Sequence, residues 1–589
     1  MDLNPRIWRT AVLILISALF LFLANRANDK YRWSDWSFGD VQTMLSLKQW
    51  HEDGWIHNYL LFKPQGYSPV VDLLDEPGLR QHAHGISPGS SPRIGPRLWY
   101  THYPSGYLIP FSILYDLGWD SLFGLRLFSI VLSLIALGLM YLTFERITSP
   151  RVAFVAILFY GLSPPFLGYS DSLANQPLDD LLRFGFMYAV LMASQDSDLR
   201  GEQRWLIAAW AMEFVLSLSS FDSVLFVYAW LIGWDLFVKK QFTLKRYVIF
   251  GLAPLSALGI QVLQNSWYLG FSDAITDLTD TFFVYHTTNT DQGKILAHID
   301  LVYKLFSKCF NWGGVLIPAA WGALYFGRRN TVTNADDLPS TKLLSLLLVC
   351  GLLFPLVLPQ AGAMSYESRQ LIPFICLLVS GISWLVILGS RDVIQNHTEK
   401  RPATSRHFWR FIVLGFSTLL CLAIWINFAQ SKRSSEVNDS GATPEILFAE
   451  RLKERQTRYP PVYINYKGIN FFQNAAYVRG YPQISPFIEY YLGSSTVLCM
   501  DEPDALAHDL ENMIRKTEKP FSPVLITTDL PGVKKALSLL AEKGFTKSME
   551  FPDNPTNEIF VIDLTDLVDW KSVWRSRFIT PAPALKPLK

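Results

Sequence analysis

Ile7-Trp-Arg-Thr-Ala-Val-Leu-Ile-Leu-Ile-Ser-Ala-Leu-Phe-Leu-Phe-Leu-Ala24 is an apolar run close to the length that a helix needs to cross a bilayer core. The residues after it decide the fold. No second span comes next; a polar stretch, about residues 25–125, carries Asp40 soon after the run and Tyr100-Thr-His-Tyr-Pro-Ser-Gly-Tyr107 near its end. A transporter seldom needs a large, aromatic-rich first loop with a carboxylate beside the first helix, whereas an enzyme acting on a lipid-linked substrate needs a catalytic floor at the membrane surface. Arg6 and Arg9 lie before or early in the run and no small-residue cleavage site comes after it, so the run reads as a retained signal anchor.

Composition agrees with a membrane chain. Half of the residues are hydrophobic, 14% are aromatic and only 17% are charged, and the mean hydropathy is +0.19. That value is low for a pure bundle of spans, which implies a sizeable soluble part. The net charge of +1, with no basic tract, gives no sign of a nucleic-acid partner. Cys350, Cys376 and Cys421 sit in apolar runs, while Cys309 and Cys499 lie in polar segments. Neither a disulfide framework nor a zinc spacing emerges, and a Cys309–Cys499 bridge is left open.

Taking about 20 apolar residues per crossing, the sequence suggests spans near 7–24, 126–144, 152–169, 179–194, 205–219, 222–238, 247–264, 313–327, 342–359, 371–390 and 409–429, about eleven in all. The segment 103–117 is apolar but short and contains Pro104, Gly106 and Pro110, so it reads as a helix at the interface. Basic residues support this choice. Arg6 and Arg9, Arg146 and Arg151, Arg200 and Arg204, Lys239 to Arg246, Arg328 to Lys342 and Arg391 to Arg410 then fall on one side, and Arg369 stands nearly alone on the other. By the positive-inside rule the amino terminus is cytoplasmic and the first large loop faces outward.

From about Ser431 the sequence becomes that of a soluble domain. Val462–Asn465, Val524–Thr527 and Ile559–Asp563 read as buried strands, and Asp504–Arg515 and Gly532–Lys543 as helices between them. The expected architecture is a mainly α, polytopic transmembrane bundle over residues 1–430, with interfacial helices in its first outward loop. A small extracytoplasmic α/β domain completes it over residues 431–589. That domain has no Gly-rich phosphate loop, so no nucleotide is assigned to it.

Four places carry candidate chemistry. Asp40, in Trp36-Ser-Phe-Gly-Asp40, reads either as a general base or as the cap of a helix ending at Gly54-Trp55. His102 reads as a hydrogen-bond donor to a phosphate, as a group that orients the acceptor, or as part of an interfacial aromatic turn. Asp171 and Asp179, in Tyr169-Ser-Asp171-Ser-Leu-Ala-Asn-Gln-Pro177-Leu-Asp179-Asp180, add carboxylates to the same face, although Asp179 or Asp180 also suits a helix start. Arg369, in Met364-Ser-Tyr-Glu367-Ser-Arg369, reads as a phosphate grip or as a salt bridge to Glu367.

In order, these parts resemble the C-type integral-membrane glycosyltransferases, in particular the protein O-mannosyltransferase and aminoarabinose (lipid A) transferase group. The resemblance rests on Asp40 through Gly54-Trp55, His102-Tyr-Pro-Ser-Gly-Tyr107, Arg126-Leu-Phe-Ser129, and Arg146 through Arg151. It continues through Leu162-Ser-Pro-Pro-Phe-Leu-Gly-Tyr169, Leu178-Asp179-Asp180 and Ser368-Arg369-Gln-Leu-Ile-Pro373, and so covers about residues 1–430. It implies transfer of a sugar from a polyprenyl-phosphate donor to a lipid, glycan or protein acceptor on the extracytoplasmic face of the plasma (inner) membrane, with inversion. Asp40 would be the base, Arg369 and His102 would hold the donor phosphate, and Asp171 or Asp179 would position the acceptor. No metal or other cofactor is expected, since a lipid phosphate is already a good leaving group. The alternatives are a transporter or flippase, for which Glu213 is nearly the only mid-helix acid, and a non-catalytic membrane assembly protein.

Overall fold

The computed structural model describes residues 5–35, 37–62, 101, 103–286, 294–309, 312–330, 338–359, 365–398, 405–437, 443–454, 457–466, 490–491, 496–497, 503–516, 521–527, 529–542 and 560–565. His102 and Cys499 lie outside the described residues. The chain divides into two compact units, residues 1–40 with 103–440 and residues 41–102 with 441–589, so the boundary falls inside the second helix just after Asp40.

The first unit is helical. Its elements are α1 (Pro5–Ala27), the start of α2 (Ser37–Asp53), α3 (Leu108–Asp116), α4 (Leu122–Ile147), α5 (Pro150–Gly161) and α6 (Pro164–Tyr169). Then come α7 (Gln176–Gln195), α8 (Leu199–Ser219), α9 (Val224–Gly233) with a π-helical turn to Lys239, α10 (Leu244–Leu269), α11 (Phe271–His286) and α12 (Lys294–Cys309). The unit continues with α13 (Gly313–Asn330), α14 (Thr341–Val357), a 3-10 turn (Ser365–Leu371), α15 (Ile372–Thr398) and α16 (Ser405–Val437).

Each of the eleven suggested spans falls on helix. Among the described residues, four helices are long and apolar enough to cross a bilayer: Arg6–Ala27, Leu122–Ile147, Leu244–Leu269 and Ser368–Ser390. The suggested span 152–169 is interrupted. Ser163 accepts the Phe166 N–H at 3.3 Å and is succeeded by Pro164 and Pro165, so it starts a new helix where the sequence pattern ran on. α3 has nine residues, about 14 Å of helix. That is half the thickness of a bilayer core.

Side chains from several helices share one apolar core. Leu137, Met140 and Phe144 of α4 meet Ile157 of α5, Phe184 and Phe186 of α7, Trp230 of α9, and Phe374 and Leu378 at the start of α15. Gly106 brings the segment before α3 onto the end of α8: its N–H donates to the Leu218 carbonyl at 3.0 Å. Cys309 is a free, buried thiol.

In the second unit α2 ends at Asp53 because Gly54 takes φ +87°, a left-handed conformation that favours glycine. Trp50 is buried there, its Nε1 donating to the Leu61 carbonyl at 3.0 Å. Past α17 (Thr443–Lys453) come β1 (Pro461–Tyr466), β2 (Thr496–Val497), α18 (Pro503–Lys516), β3 (Ser522–Thr527), α19 (Leu530–Glu542) and β4 (Phe560–Asp563). The sheet order is β2-β1-β3-β4. β1 is parallel to β2 and β3, and β4 is antiparallel to β3. α18 lies between β2 and β3 in the chain, in keeping with the crossover connections that parallel strands require. Every position of β3 is buried, in keeping with the unbroken apolar run Val524-Leu-Ile526 at its centre.

A Cβ on Gly106 would stand 2.4 Å from the Leu218 carbonyl oxygen. Gly106→Ala is expected to destabilise the protein by about 1–3 kcal/mol, whereas Gly138→Ala, which meets nothing within 4 Å, costs nothing. Thermal unfolding in detergent measures both.

Candidate active site

The site is assembled where the end of α1, the start of α2, the start of α4 and the loop between α6 and α7 meet. α2 begins at Ser37, so Asp40 lies in its first turn and is not its cap. Its carboxylate is buried and accepts three hydrogen bonds. Ser34 Oγ donates to Oδ2 at 2.5 Å, while Ser172 Oγ at 2.6 Å and the Leu173 N–H at 2.7 Å donate to Oδ1. Burial pushes the Asp40 carboxyl up to about 6, and the charge of Asp171 adds to the rise. The two hydroxyls and the Leu173 N–H offset part of it.

Asp171 is held between two buried arginines. Arg26, at the end of α1, donates to Oδ1, and Arg126, at the start of α4, donates to Oδ2 through Nη2 and, at 3.1 Å, Nε. Arg126 Nη1 also donates to the Ala27 carbonyl at 3.0 Å, which ties the end of α1 to α4. Burial alone would raise the Asp171 carboxyl, but Arg26 and Arg126 hold it below the ordinary carboxylate range. Both of its oxygens are thus engaged within the protein. Ser133 Oγ donates to the Ser170 carbonyl at 3.0 Å and fixes the same loop from α4.

A second cluster surrounds the first turn of α7. Asp180 accepts from Tyr160 Oη at 2.7 Å and from Arg183 Nη2 at 2.5 Å, and lies 3.4 Å from Arg369 Nη1. Arg369 is buried, donates to the Gln176 carbonyl at 2.8 Å and lies over the Tyr169 ring. Among the described residues Arg369 meets the carboxylate of Asp180, from another helix; the side chain of Glu367, the partner suggested by sequence, lies outside the described residues. Arg183 Nη1 donates to Gln370 Oε1 at 2.6 Å, and Gln370 Nε2 donates to Ser223 Oγ at 2.9 Å.

Asp179 faces a third group. Asn175 Nδ2 donates to its Oδ2 at 2.8 Å and to Tyr103 Oη at 2.8 Å, and Tyr103 Oη donates to Asp222 Oδ2 at 2.7 Å. Among the described residues Asp179 Oδ1 is buried without a hydrogen bond. Asp40, Asp171, Asp179 and Arg369 thus belong to linked clusters, whereas His102 lies outside the described residues. Sequence reading missed Arg26, Ser172, Gln176, Arg183 and Asp222, and noted Arg126 only through the resemblance. An arginine or aspartate inside or at the end of an apolar helix is the signal that was available for most of them.

Residues 106–267 match the family model described as dolichyl-phosphate-mannose-protein mannosyltransferase. The fold matches the crystal structure of ArnT from Cupriavidus metallidurans bound to undecaprenyl phosphate, with a TM-score of 0.53 at 12% identity, over 94% of this chain and 98% of that one. The chain has the ArnT fold. It resembles the C-type membrane glycosyltransferases of the O-mannosyltransferase and ArnT group, and its apolar helices make it an integral membrane protein. The oligosaccharyltransferase of Archaeoglobus fulgidus, tethered with an acceptor peptide, also aligns, with a TM-score of 0.41 at 10% identity over 95% of this chain and 77% of that one. No curated protein sequence matches the chain.

Arg126→Leu is expected to cost about 3–5 kcal/mol, because it removes one of two counter-charges from a buried carboxylate. Thermal unfolding should show the loss, with a smaller effect from Arg9→Gln at the Arg9–Glu145 pair, whose guanidinium is exposed. Since the Asp171 carboxyl is held low, the stabilisation is present at neutral pH and is lost as pH falls through its folded value.

Proposed function

We propose that this chain transfers a sugar from a polyprenyl-phosphate donor to an acceptor on the extracytoplasmic face of the membrane, with inversion at the anomeric carbon. The observation that carries the reading is Asp40: a carboxylate on the helix after the first apolar helix, buried, fixed by three donors and pushed up to about 6. A base in that range is ionised at neutral pH and still takes a proton with useful driving force. The donor class is supported by two likenesses. The matching family model is that of a dolichyl-phosphate mannose enzyme, and the ArnT structure holds undecaprenyl phosphate.

In this reading an acceptor O–H or N–H attacks the anomeric carbon as its proton passes to Asp40. The bond from that carbon to the phosphate oxygen breaks, and the lipid phosphate leaves with the electron pair. Arg369, with His102, meets the phosphate; a guanidinium is suited to its two oxygens. Asp179, with its unused oxygen, positions the acceptor. Asp171, with both oxygens on arginines, sets the loop that carries Ser172 and Leu173 against Asp40.

Asp40→Asn keeps the size of the side chain but cannot accept a proton at neutral pH. Turnover with a polyprenyl-phosphate sugar is expected to fall roughly 10²–10⁴-fold in the purified, folded protein, with donor binding retained. Near-normal turnover would remove Asp40 as the base. The assignment of faces has its own test: reporter fusions at Lys240 and Ser431 are expected on opposite sides of the membrane, the first cytoplasmic. Both fusions in one compartment would overturn it.

A further inference from the structure

Asp40 and Arg369 stand far apart in sequence, yet a short hydrogen-bonded path through Ser172 and Gln176 links them. Ser172 Oγ lies 2.6 Å from Asp40 Oδ1 and 3.0 Å from Gln176 Oε1. The backbone carbonyl of the same Gln176 accepts Arg369 Nη1 at 2.8 Å. Ser172 and Gln176 are both buried. A serine hydroxyl has a single proton, and a carboxylate oxygen and an amide oxygen are both acceptors, so Ser172 donates to one of them at a time.

While Asp40 is ionised, its charge makes it the stronger acceptor and it takes the Ser172 proton. When Asp40 holds a proton it donates to Ser172 Oγ, and the Ser172 hydroxyl turns to Gln176 Oε1. The Ala174 N–H, 3.2 Å from Ser172 Oγ, keeps the oxygen in place as its proton reorients. The glutamine side chain is therefore hydrogen-bonded to Ser172 in one protonation state of Asp40 and released from it in the other, at the first residue of α7 on which Arg369 rests.

We propose that Gln176 is a positioning residue which, through the one hydroxyl proton of Ser172, couples the protonation state of Asp40 to Arg369. This rests on the reading of Asp40 as base and Arg369 as phosphate ligand. Binding of the donor phosphate at Arg369 then shifts the proton affinity of Asp40, and protonation of Asp40 shifts donor affinity by the same factor. The charged group that acts on Asp40 is Asp171 from the loop after α6, with its partners Arg26 from α1 and Arg126 from α4. Substitutions at Ser172 and Gln176 leave all three in place.

Gln176→Leu keeps the backbone carbonyl and removes the acceptor that favours protonated Asp40. The acid limb of kcat/KM should move down by about half to one pH unit. Ser172→Ala removes a donor to the carboxylate, so its limb moves up, and Ser172→Thr, which keeps the hydroxyl, stays near the unmodified protein. The limbs of kcat/KM and kcat report the free and donor-bound enzyme; they should differ in the unmodified protein and coincide in Gln176→Leu. A purely structural role lowers turnover and leaves the limbs unmoved, which overturns the proposal.

The carboxylic C=O infrared band that vanishes in Asp40→Asn, titrated in the full-length protein without substrate, reads the same shifts without turnover. Equal midpoints in the unmodified protein and in whichever of Gln176→Leu and Ser172→Ala folds also overturn the proposal. Failure of the base reading looks different: Asp40→Asn itself turns over, and no limb belongs to Asp40.

Discussion

The Asp171 carboxylate between Arg26 and Arg126 is the contact on which the site depends. Three pieces of chain meet there: the end of α1, the start of α4 and the loop between α6 and α7. Each of these ions costs several kcal/mol to take out of water, so none of them is stable inside the protein without the others. Satisfying all three places the adjacent Ser172 and Leu173 where their donors reach Asp40. The electrostatic clamp and the geometry around Asp40 are thus one arrangement, carried by consecutive residues of one loop.

Asp40 sits at a balance that neither burial nor hydrogen bonding would reach alone. Burial favours the neutral acid, the two serine hydroxyls and the Leu173 N–H favour the carboxylate, and the neighbouring Asp171 tips the result back towards the acid. Two carboxylates close together in space therefore behave differently. Asp171, with two guanidiniums, stays ionised, and Asp40, with only neutral donors, is left able to exchange a proton. Divergent environments for two nearby acids are how one fold separates a structural charge from a chemical one.

Among the described residues, the buried arginines Arg26, Arg126, Arg183 and Arg369 each lie against Asp171 or Asp180. Polar groups of this kind in apolar surroundings are expensive unless paired, which favours a rigid network. Gln370 and Ser223 extend it, and Arg183 ties the 3-10 turn before α15 to α7 through the Arg369 carbonyl at 3.3 Å. The turn that carries Arg369 is therefore held from its neighbours, and its guanidinium is fixed in place.

By itself the sequence determined the local structure and the kinds of residue available. The apolar runs became helices, the short apolar segments of the tail became β1, β3 and β4 with α18 and α19 among them, and the Pro- and Gly-containing segment 103–117 became a short helix too brief to span. Asp40 and Arg369 stood out because a charge beside an apolar run is costly and hence conspicuous. Which charge answers which was decided only by tertiary packing. Arg369 met Asp180 through the contact of the 3-10 turn with α7, Asp171 was engaged by arginines from two other helices, and the cap reading of Asp40 gave way because α2 starts at Ser37. Periodicity reports which face of a helix is buried, but partners drawn from helices far apart in the chain become neighbours only when those faces pack, and that packing fixes the electrostatics of the site.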